Sequence, residues 1–318
     1  MCMEQLKPLL IVAGPTAVGK TDFSIRLAKA VNGSVISCDS MQVYKYMDIG
    51  SAKIRKDEME GVPHYLVDVL EPEEEFHVVR FCEMARKAMK EIYAAGRIPI
   101  LVGGTGFYIQ ALLYGIDFDE EPADDSYRKS LEKLAKEQGA DVLFEKLMEV
   151  DPKSCQIIHK NNVKRVIRAL EYYHDTGKPI SKHNEEERQK PAIFNHAFFV
   201  LTDERPLLYE RIDRRVDQMM EEGLLEEVRG LRERGYHRGM VAMQGLGYKE
   251  LLAYLEGECS LEEAVYTIKR DTRHFAKRQL TWFKRESDVI WLNRSDFSQD
   301  TGLMLKEAER IIRNKGIC

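Results

Sequence analysis

Gly14-Pro15-Thr16-Ala17-Val18-Gly19-Lys20-Thr21 fits the pattern GxxxxGK[ST] at every position. Immediately before it runs Leu9-Leu10-Ile11-Val12-Ala13, apolar and of strand length. Behind it Phe23, Leu27 and Val31 recur at helical spacing. Strand, glycine-rich loop and helix in that order form a phosphate-binding loop, whereas the pattern alone would be a weak signal. The glycines let successive backbone N–H groups curl round an anion at a helix N-terminus. Residues Gly14, Pro15, Thr16, Ala17, Val18, Gly19, Lys20 and Thr21 are therefore the expected polyphosphate cradle. Lys20 brings a point charge to it, and the Thr21 hydroxyl is a suitable Mg²⁺ ligand.

Apolar β-rich runs recur at 8–13, Ser34–Cys38, Tyr65–Val69, Ile98–Val102, Ala197–Leu201 and Val289–Leu292. Helical patterns follow several of them, at 20–31, 77–94 and 205–234. Alternating strands and helices predict an α/β fold, a P-loop NTPase-like parallel sheet flanked by helices. Ligands in such folds sit at the carboxyl ends of the strands. Three loops fall there: Gly14–Thr21, Asp39–Gln42 and Gly103–Tyr108. Between 120 and 192 the strand signal vanishes and helical patterns take over at 126–137, 140–148 and 162–175, before the polar run Ser181–Lys190. The expected organisation is a catalytic core of 1–120 and 193–318 with a helical insertion domain at 121–192.

Composition narrows the class. Over 318 residues, 44% are hydrophobic and 32% charged, and no apolar run is long enough for a membrane span. The first residues lack the shape of a signal peptide. Six scattered cysteines, without a CxxC pair, predict free thiols in a reduced cytoplasmic protein, and the eight histidines show no metal-ligand spacing. The net charge is −5, yet Ala264–Arg285 carries seven Lys/Arg against the single acid Asp271. A local basic stripe on an acidic chain is the footprint of a polyanion partner, or simply a solvated helix face.

The best candidate acid to accompany the phosphate loop is Asp39, at the end of the second strand. It has three readings: Mg²⁺ ligand, general base, or cap of a turn. The residues that follow, Ser40-Met41-Gln42-Val43-Tyr44, are unusual for a pure metal site. Gln42 offers donors and an acceptor suited to a base edge, and Tyr44 a ring for stacking.

Asp39-Ser40-Met41-Gln42-Val43-Tyr44, followed by Asp48-Ile49-Gly50-Ser51-Ala52-Lys53, resembles a signature of the tRNA dimethylallyltransferases, or isopentenyltransferases. Gly61-Val62-Pro63-His64, Gly103-Gly104-Thr105-Gly106-Phe107-Tyr108, Arg165–Glu171, Gly245–Glu250 and Thr272–Phe283 continue the resemblance in family order across most of the chain. Departures are slight: Ser51 for the usual Thr, Ile54 where Pro is common, Phe107 for Leu, and Lys284 for Arg. The last would replace a planar fork by a point charge at a phosphate.

The resemblance implies transfer of a dimethylallyl group from dimethylallyl diphosphate to N6 of an adenine beside the tRNA anticodon, with Mg²⁺, by a monomer. The phosphate loop would then hold the leaving diphosphate. Asp39 is expected to take the amine proton, Thr105 to orient Asp39 or the amine, and Arg215 to face the diphosphate from the helix after Pro206. Arg211, Arg215 and Met219 share one face of that helix. RNA contacts are expected from Asp39, Ser40, Met41, Gln42, Thr105 and Gln244. In the insertion Lys164, Arg165 and Arg168 are expected to grip the anticodon stem, unless they are spent on ion pairs with Glu171 or neighbours. In the basic stripe Arg273, Lys277 and Lys284 would face phosphates, with Val265, Ile268, Phe275 and Phe283 buried and Trp282 more suited to the core than to stacking. Two rival readings remain: a P-loop nucleoside or small-molecule kinase, and an RNA-binding protein with a degenerate site. The first leaves the motifs beyond residue 160 unexplained; the second leaves Lys20, Thr21 and Asp39 without a purpose.

Overall fold

A computed structural model describes residues 6–116 and 126–318. They fall into two compact units, Met1–Gly115 with Ala192–Cys318, and Ile116–Pro191. The expected junction after residue 120 lies outside the described residues.

The first unit opens with strand β1 (Pro8–Ala13), helix α1 (Lys20–Ala30), β2 (Gly33–Ser37), the two-residue β3 (His64–Tyr65), α2 (Val78–Ala94), β4 (Ile98–Gly103) and α3 (Gly106–Leu113). The second unit holds α4 (Ser126–Gln138), α5 (Ala140–Val150), α6 (Pro152–Cys155), α7 (Val163–Thr176) and α8 (Ile180–Arg188). The chain then returns with β5 (Asn195–Thr202), α9 (Arg205–Glu221), α10 (Leu224–Glu233), α11 (Tyr248–Leu255), α12 (Leu261–Phe283), β6 (Val289–Asn293) and α13 (Thr301–Asn314).

The sheet runs β3-β2-β4-β1-β5-β6 and every neighbouring pair is parallel. β1 lies inside it, and Leu9 to Ala13 are wholly inaccessible. A strand covered on both faces needs a continuous apolar run rather than alternation, which is what residues 9–13 provide. Because β1 lies between β4 and β5, the phosphate loop at its end faces the loops that follow both.

Two expected elements are cut short by the backbone. The strand read over Tyr65–Val69 stops after Tyr65, because Leu66 and Asp68 take left-handed φ of 60° and 59°. The helix read over 205–234 is two, α9 and α10, separated at Gly223 with φ 100°. A left-handed glycine there ends the first helix and starts the second.

The insertion has its own core of Leu131, Leu143, Leu147, Val166, Ile167, Ala169 and Leu170. The polar run after residue 180 is helical, and buried Asp151 secures its start. The Asp151 carboxylate accepts from Ser154 N (3.1 Å) and Oγ (2.6 Å), and from Ser181 N (2.9 Å) and Oγ (2.6 Å). Burial opposes its charge, but these hydrogen bonds outweigh burial and hold its pKa below the usual value.

Candidate active site

Gly14 at the end of β1 has φ 141°, and a Cβ there would lie 2.4 Å from the Leu201 carbonyl. Only glycine lets the loop turn this close to β5. Gly19, at φ 96°, then feeds α1, whose first two residues are Lys20 and Thr21. Lys20 folds back across the loop, its ammonium donating to the carbonyls of Gly14 (3.0 Å) and Pro15 (2.7 Å). Burial lowers its pKa to about 8; the Asp39 charge opposes that shift and Arg215 adds to it. Lys20, Asp39 and Arg215, from three separate motifs, thus share one electrostatic neighbourhood.

Asp39 follows β2, where Cys38 N still donates to the Val102 carbonyl at 2.7 Å. One carboxylate oxygen accepts from Met41 N at 2.9 Å, so Asp39 does cap a turn. That bond fixes the carboxylate beside a cleft of about 530 Å³ and leaves its other oxygen for chemistry. Thr105 faces the same cleft from the start of α3. Its carbonyl accepts from Tyr108 N and Ile109 N, while its side chain makes no capping hydrogen bond to the helix. The turn is therefore satisfied by the backbone, and the hydroxyl is left to the cleft. Ser40, Met41, Thr16, Ala17, Arg215 and Gln244 also line it, with Val216, Met219, Leu224, Ile268 and Phe275 as an apolar wall.

Of the arginines in the run 211–215, only Arg215 faces the cleft without an ion pair among the described residues. Arg211 is held by Asp203 at 2.7 Å and Gln299 at 2.7 Å, and Arg214 by Glu210 at 2.6 Å. Burial pulls the Arg215 guanidinium below its usual value, with Asp39 the foremost opposing charge. A charged, unpaired guanidinium on a partly apolar cleft is poised for an anion.

Several expected contacts lie elsewhere. Gln42 does not line the cleft: its amide donates to the carbonyls of Ser51 (3.4 Å) and Ala52 (3.2 Å) and accepts from Ser37 Oγ (3.2 Å). The amide is spent on joining β2 to the turn that follows it. Tyr44 borders the cleft but is buried, its hydroxyl donating to the Glu74 carbonyl at 3.1 Å and its ring packed edge-on against Phe76. That ring is core rather than an open stacking platform. On α12, Arg273 pairs with Asp213 and Lys269 with Asp217, which neutralises part of the basic stripe. Lys277, Arg278, Lys284 and Arg285 have no ion pair among the described residues. Phe275, expected in the core, is exposed to 36%. Gln244 donates to the Arg238 carbonyl and keeps its carbonyl oxygen. In the insertion Glu171 is not the partner of Lys164, Arg165 and Arg168; it takes a two-pronged pair from Arg128 at 2.8 and 3.0 Å. The three cations are exposed along α7.

Two residues escaped the sequence reading. Glu227 on α10 accepts the backbone N–H groups of Asp48, Ile49 and Gly50, and the Tyr248 hydroxyl at 2.7 Å. Nothing local to Glu227 marks it, because its partners lie far off in the chain. Gln279 was legible in principle: it is a polar residue on the stripe of Ile268, Ala276 and Phe283 that α12 buries.

The same motifs carry the relationship to known proteins. A family model described as IPP transferase matches residues 42–286, and one described as isopentenyl transferase matches 7–71. The chain is 59% identical over 312 residues to the tRNA dimethylallyltransferase of Lachnoclostridium phytofermentans, covering 98% of this chain and 99% of that one. It belongs to the tRNA dimethylallyltransferase family. The dimethylallyltransferase of Acetivibrio thermocellus is 52% identical over 96% of this chain and 95% of its own. Among solved structures, the tRNA isopentenylpyrophosphate transferase of Bacillus halodurans aligns with a TM-score of 0.73 at 44% identity, covering 98% of both chains. A eukaryotic dimethylallyltransferase captured acting on tRNA aligns at 0.83 and 32% identity, over 97% of this chain and 80% of its own. Dimethylallyltransferase membership disfavours the kinase reading, and the parallel sheet with flanking helices is the fold expected of it. Among the described residues no helix is long and apolar enough to cross a membrane.

Proposed function

We propose that this protein transfers the dimethylallyl group of dimethylallyl diphosphate to N6 of an adenine beside the tRNA anticodon, releasing diphosphate. What carries the reading is a cleft with an apolar wall that Asp39, Thr105 and Arg215 line, with Lys20 of the phosphate loop in electrostatic reach of Asp39 and Arg215. The phosphate-loop amides and Lys20 bind the diphosphate, and Arg215 closes on it as the carbon–oxygen bond breaks. The apolar side chains receive the prenyl chain. The amine attacks the freed carbon, a carbon–nitrogen bond forms, and Asp39 accepts the displaced proton. Thr105 supplies a hydroxyl to orient the amine or Asp39.

The donor set suits Mg²⁺. Among the described residues no cluster of three or more His, Cys, Asp or Glu could hold a metal by itself. Mg²⁺ needs no such cage, since it typically takes one or two protein oxygens and completes its shell with phosphate and water. The Thr21 hydroxyl would hold it against the diphosphate. When bound, the ion supplies charge neutralisation to the departing group.

Lys164, Arg165 and Arg168 on α7 are the proposed stem-binding cations, with Lys277 on α12. Ser40, Met41 and Gln244 are proposed to border the adenine. Gln42 supports them from behind, and Arg273 acts through its pair with Asp213. We propose that it works in the cytoplasm as a monomer. The deciding experiment mixes purified protein, Mg²⁺, labelled dimethylallyl diphosphate and unmodified tRNA. Label that maps to an adenine beside the anticodon is the expected result; unlabelled RNA with ATP-dependent phosphorylation of a small acceptor would overturn it.

A further inference from the structure

Gln279 reaches from α12 into the gap between two loops at the head of the sheet. Its Oε1 accepts from Thr16 N at 3.0 Å, and its Nε2 donates to the Gly104 carbonyl at 3.1 Å. The amide has one orientation only, because a flip would set N–H against N–H and carbonyl against carbonyl. It is 7% exposed, so losing either bond leaves a polar group stranded. The fit is tight: a Cβ on Gly104 would lie 2.0 Å from Gln279 Nε2, and one on Gly106 would lie 2.1 Å from Trp282 Cδ1. Two residues of α12, one turn apart, therefore seat on the glycine-rich loop that carries Thr105.

We propose that Gln279 is a positioning residue for the transfer reaction. It sets the spacing between the diphosphate cradle and Thr105, and ties both to the helix whose exposed face carries Lys277 and Arg278. The inference rests on the function proposed above. The leaving group is held by the loop after β1, while Thr105 comes from the loop after β4. The two loops belong to adjacent strands, but their heads are joined side chain to backbone by Gln279. A shift of a fraction of an ångström between them separates the breaking bond from the amine, at a large cost in rate.

The test is a double-mutant cycle of Gln279→Ala and Gly104→Ala. Gly104 does not have a left-handed φ, so its alanine is limited by the Gln279 amide rather than by strain. Removing Gln279 opens the space that the added methyl needs. Single-turnover transfer, diphosphate affinity measured with inorganic diphosphate, affinity for an anticodon stem-loop RNA, and melting temperature are read for each variant. Each single substitution is expected to lower the transfer rate at least thirtyfold, with RNA affinity within threefold of wild type. The double variant is expected to be no worse than the poorer single one, because both remove the same link. Gln279→Glu keeps the acceptor for Thr16 but loses the donor to Gly104, and should fall between wild type and Gln279→Ala. It carries the same test should the alanine variant fail to fold. Additive losses, or losses that follow melting temperature and RNA affinity alike, would overturn the proposal. So would wild-type transfer in a folded Gln279 variant. Absence of transfer in the wild-type protein would overturn the proposed function itself, a result distinct from these.

Discussion

Arg211 and Arg215 stand four residues apart on α9 and do different work. Arg211 is tied to Asp203, whose side chain is wholly buried, at 2.7 Å; Arg215 faces the cleft with no ion pair among the described residues. The Asp203 carboxylate also accepts from Ser295 Oγ (2.9 Å) and Gln299 Nε2 (3.1 Å). Burial opposes its charge, but hydrogen bonding with Arg211 nearby overrides that and keeps its pKa low. Arg211→Ala should therefore act on stability, costing about 2 kcal/mol because a buried carboxylate loses the nearer of its two cations but keeps Arg294 at 4.0 Å and its other donors. Arg215→Ala should leave melting nearly unchanged and lower kcat about a hundredfold, the scale of one preorganised charge on a developing anion. Thermal melts beside single-turnover rates separate the two; equal rate losses in both would refute the division.

Asp39→Ala should bind tRNA with near wild-type affinity and transfer at least a hundred times more slowly, as for loss of a general base. Asp39→Asn is the sharper variant, since its amide oxygen can keep the turn bond from Met41 N. Rate loss in Asp39→Asn with RNA affinity intact would assign the defect to proton acceptance. Full activity would remove Asp39 from that role.

The sequence made the head of the sheet legible because phosphate binding imposes a local pattern: glycines, Lys20 and Thr21 stand in one short window. Asp39, Thr105 and Arg215 were readable as members of family motifs, and each does face the cleft. Gln42 sits in the same motif as Asp39 yet turns away from the cleft, and Tyr44 borders it as a buried ring, because a motif fixes position and not the direction of a side chain. Glu227 binding Asp48–Gly50 joins residues almost 180 positions apart, and no window of sequence displays such a pair. The end of β3 depended on the left-handed φ of Leu66 and Asp68, which propensity does not favour in Leu.

Diphosphate affinity should depend on pH through Lys20. With its pKa near 8, the ammonium form predominates below that value. A diphosphate favours the ammonium, so affinity should fall as pH rises through about 8, by up to tenfold per unit. Lys20→Met should bind more weakly throughout and lose that step, while the ligand's own ionisation remains in both proteins. For folding the sign is reversed. The unfolded lysine titrates near 10.5, so the cost of burying the charge is full below about 8 and relieved as pH rises toward 10.5. Calorimetric titration of inorganic diphosphate from pH 6.5 to 9.5 reads the binding effect; parallel curves for the two proteins would count against it.

Asp151 should govern the stability of the insertion. Removing its carboxylate in Asp151→Ala strands the N–H and hydroxyl groups of Ser154 and Ser181, at a cost of about 3 kcal/mol. Because its folded pKa is depressed, its contribution is complete above the ordinary value of 3.8 and is lost as pH falls through the lower folded value. Hydrogen exchange of α6 and α8 amides is the measurement. Unchanged protection in the alanine variant would show that the helices hold without the staple.

Salt dependence should tell the RNA-facing cations from those already neutralised. Each lysine or arginine that displaces counterions from single-stranded or duplex RNA contributes about 0.7 to 0.9 to the slope of log affinity against log salt. Replacing Lys164, Arg165 and Arg168 together by alanine should therefore reduce that slope by about 2 to 3. Lys277→Ala should reduce it by about 1. Arg273 is paired with Asp213, so its phosphate contact must compete with a carboxylate. Arg273→Ala should change the slope by well under 1 and show instead a small loss of stability, the measure of a half-exposed pair. Filter binding of an anticodon stem-loop between 50 and 300 mM salt provides the slopes. A full unit lost in Arg273→Ala would mean that RNA displaces Asp213 and takes the arginine for itself, and a slope unmoved by the triple substitution would take α7 out of the interface.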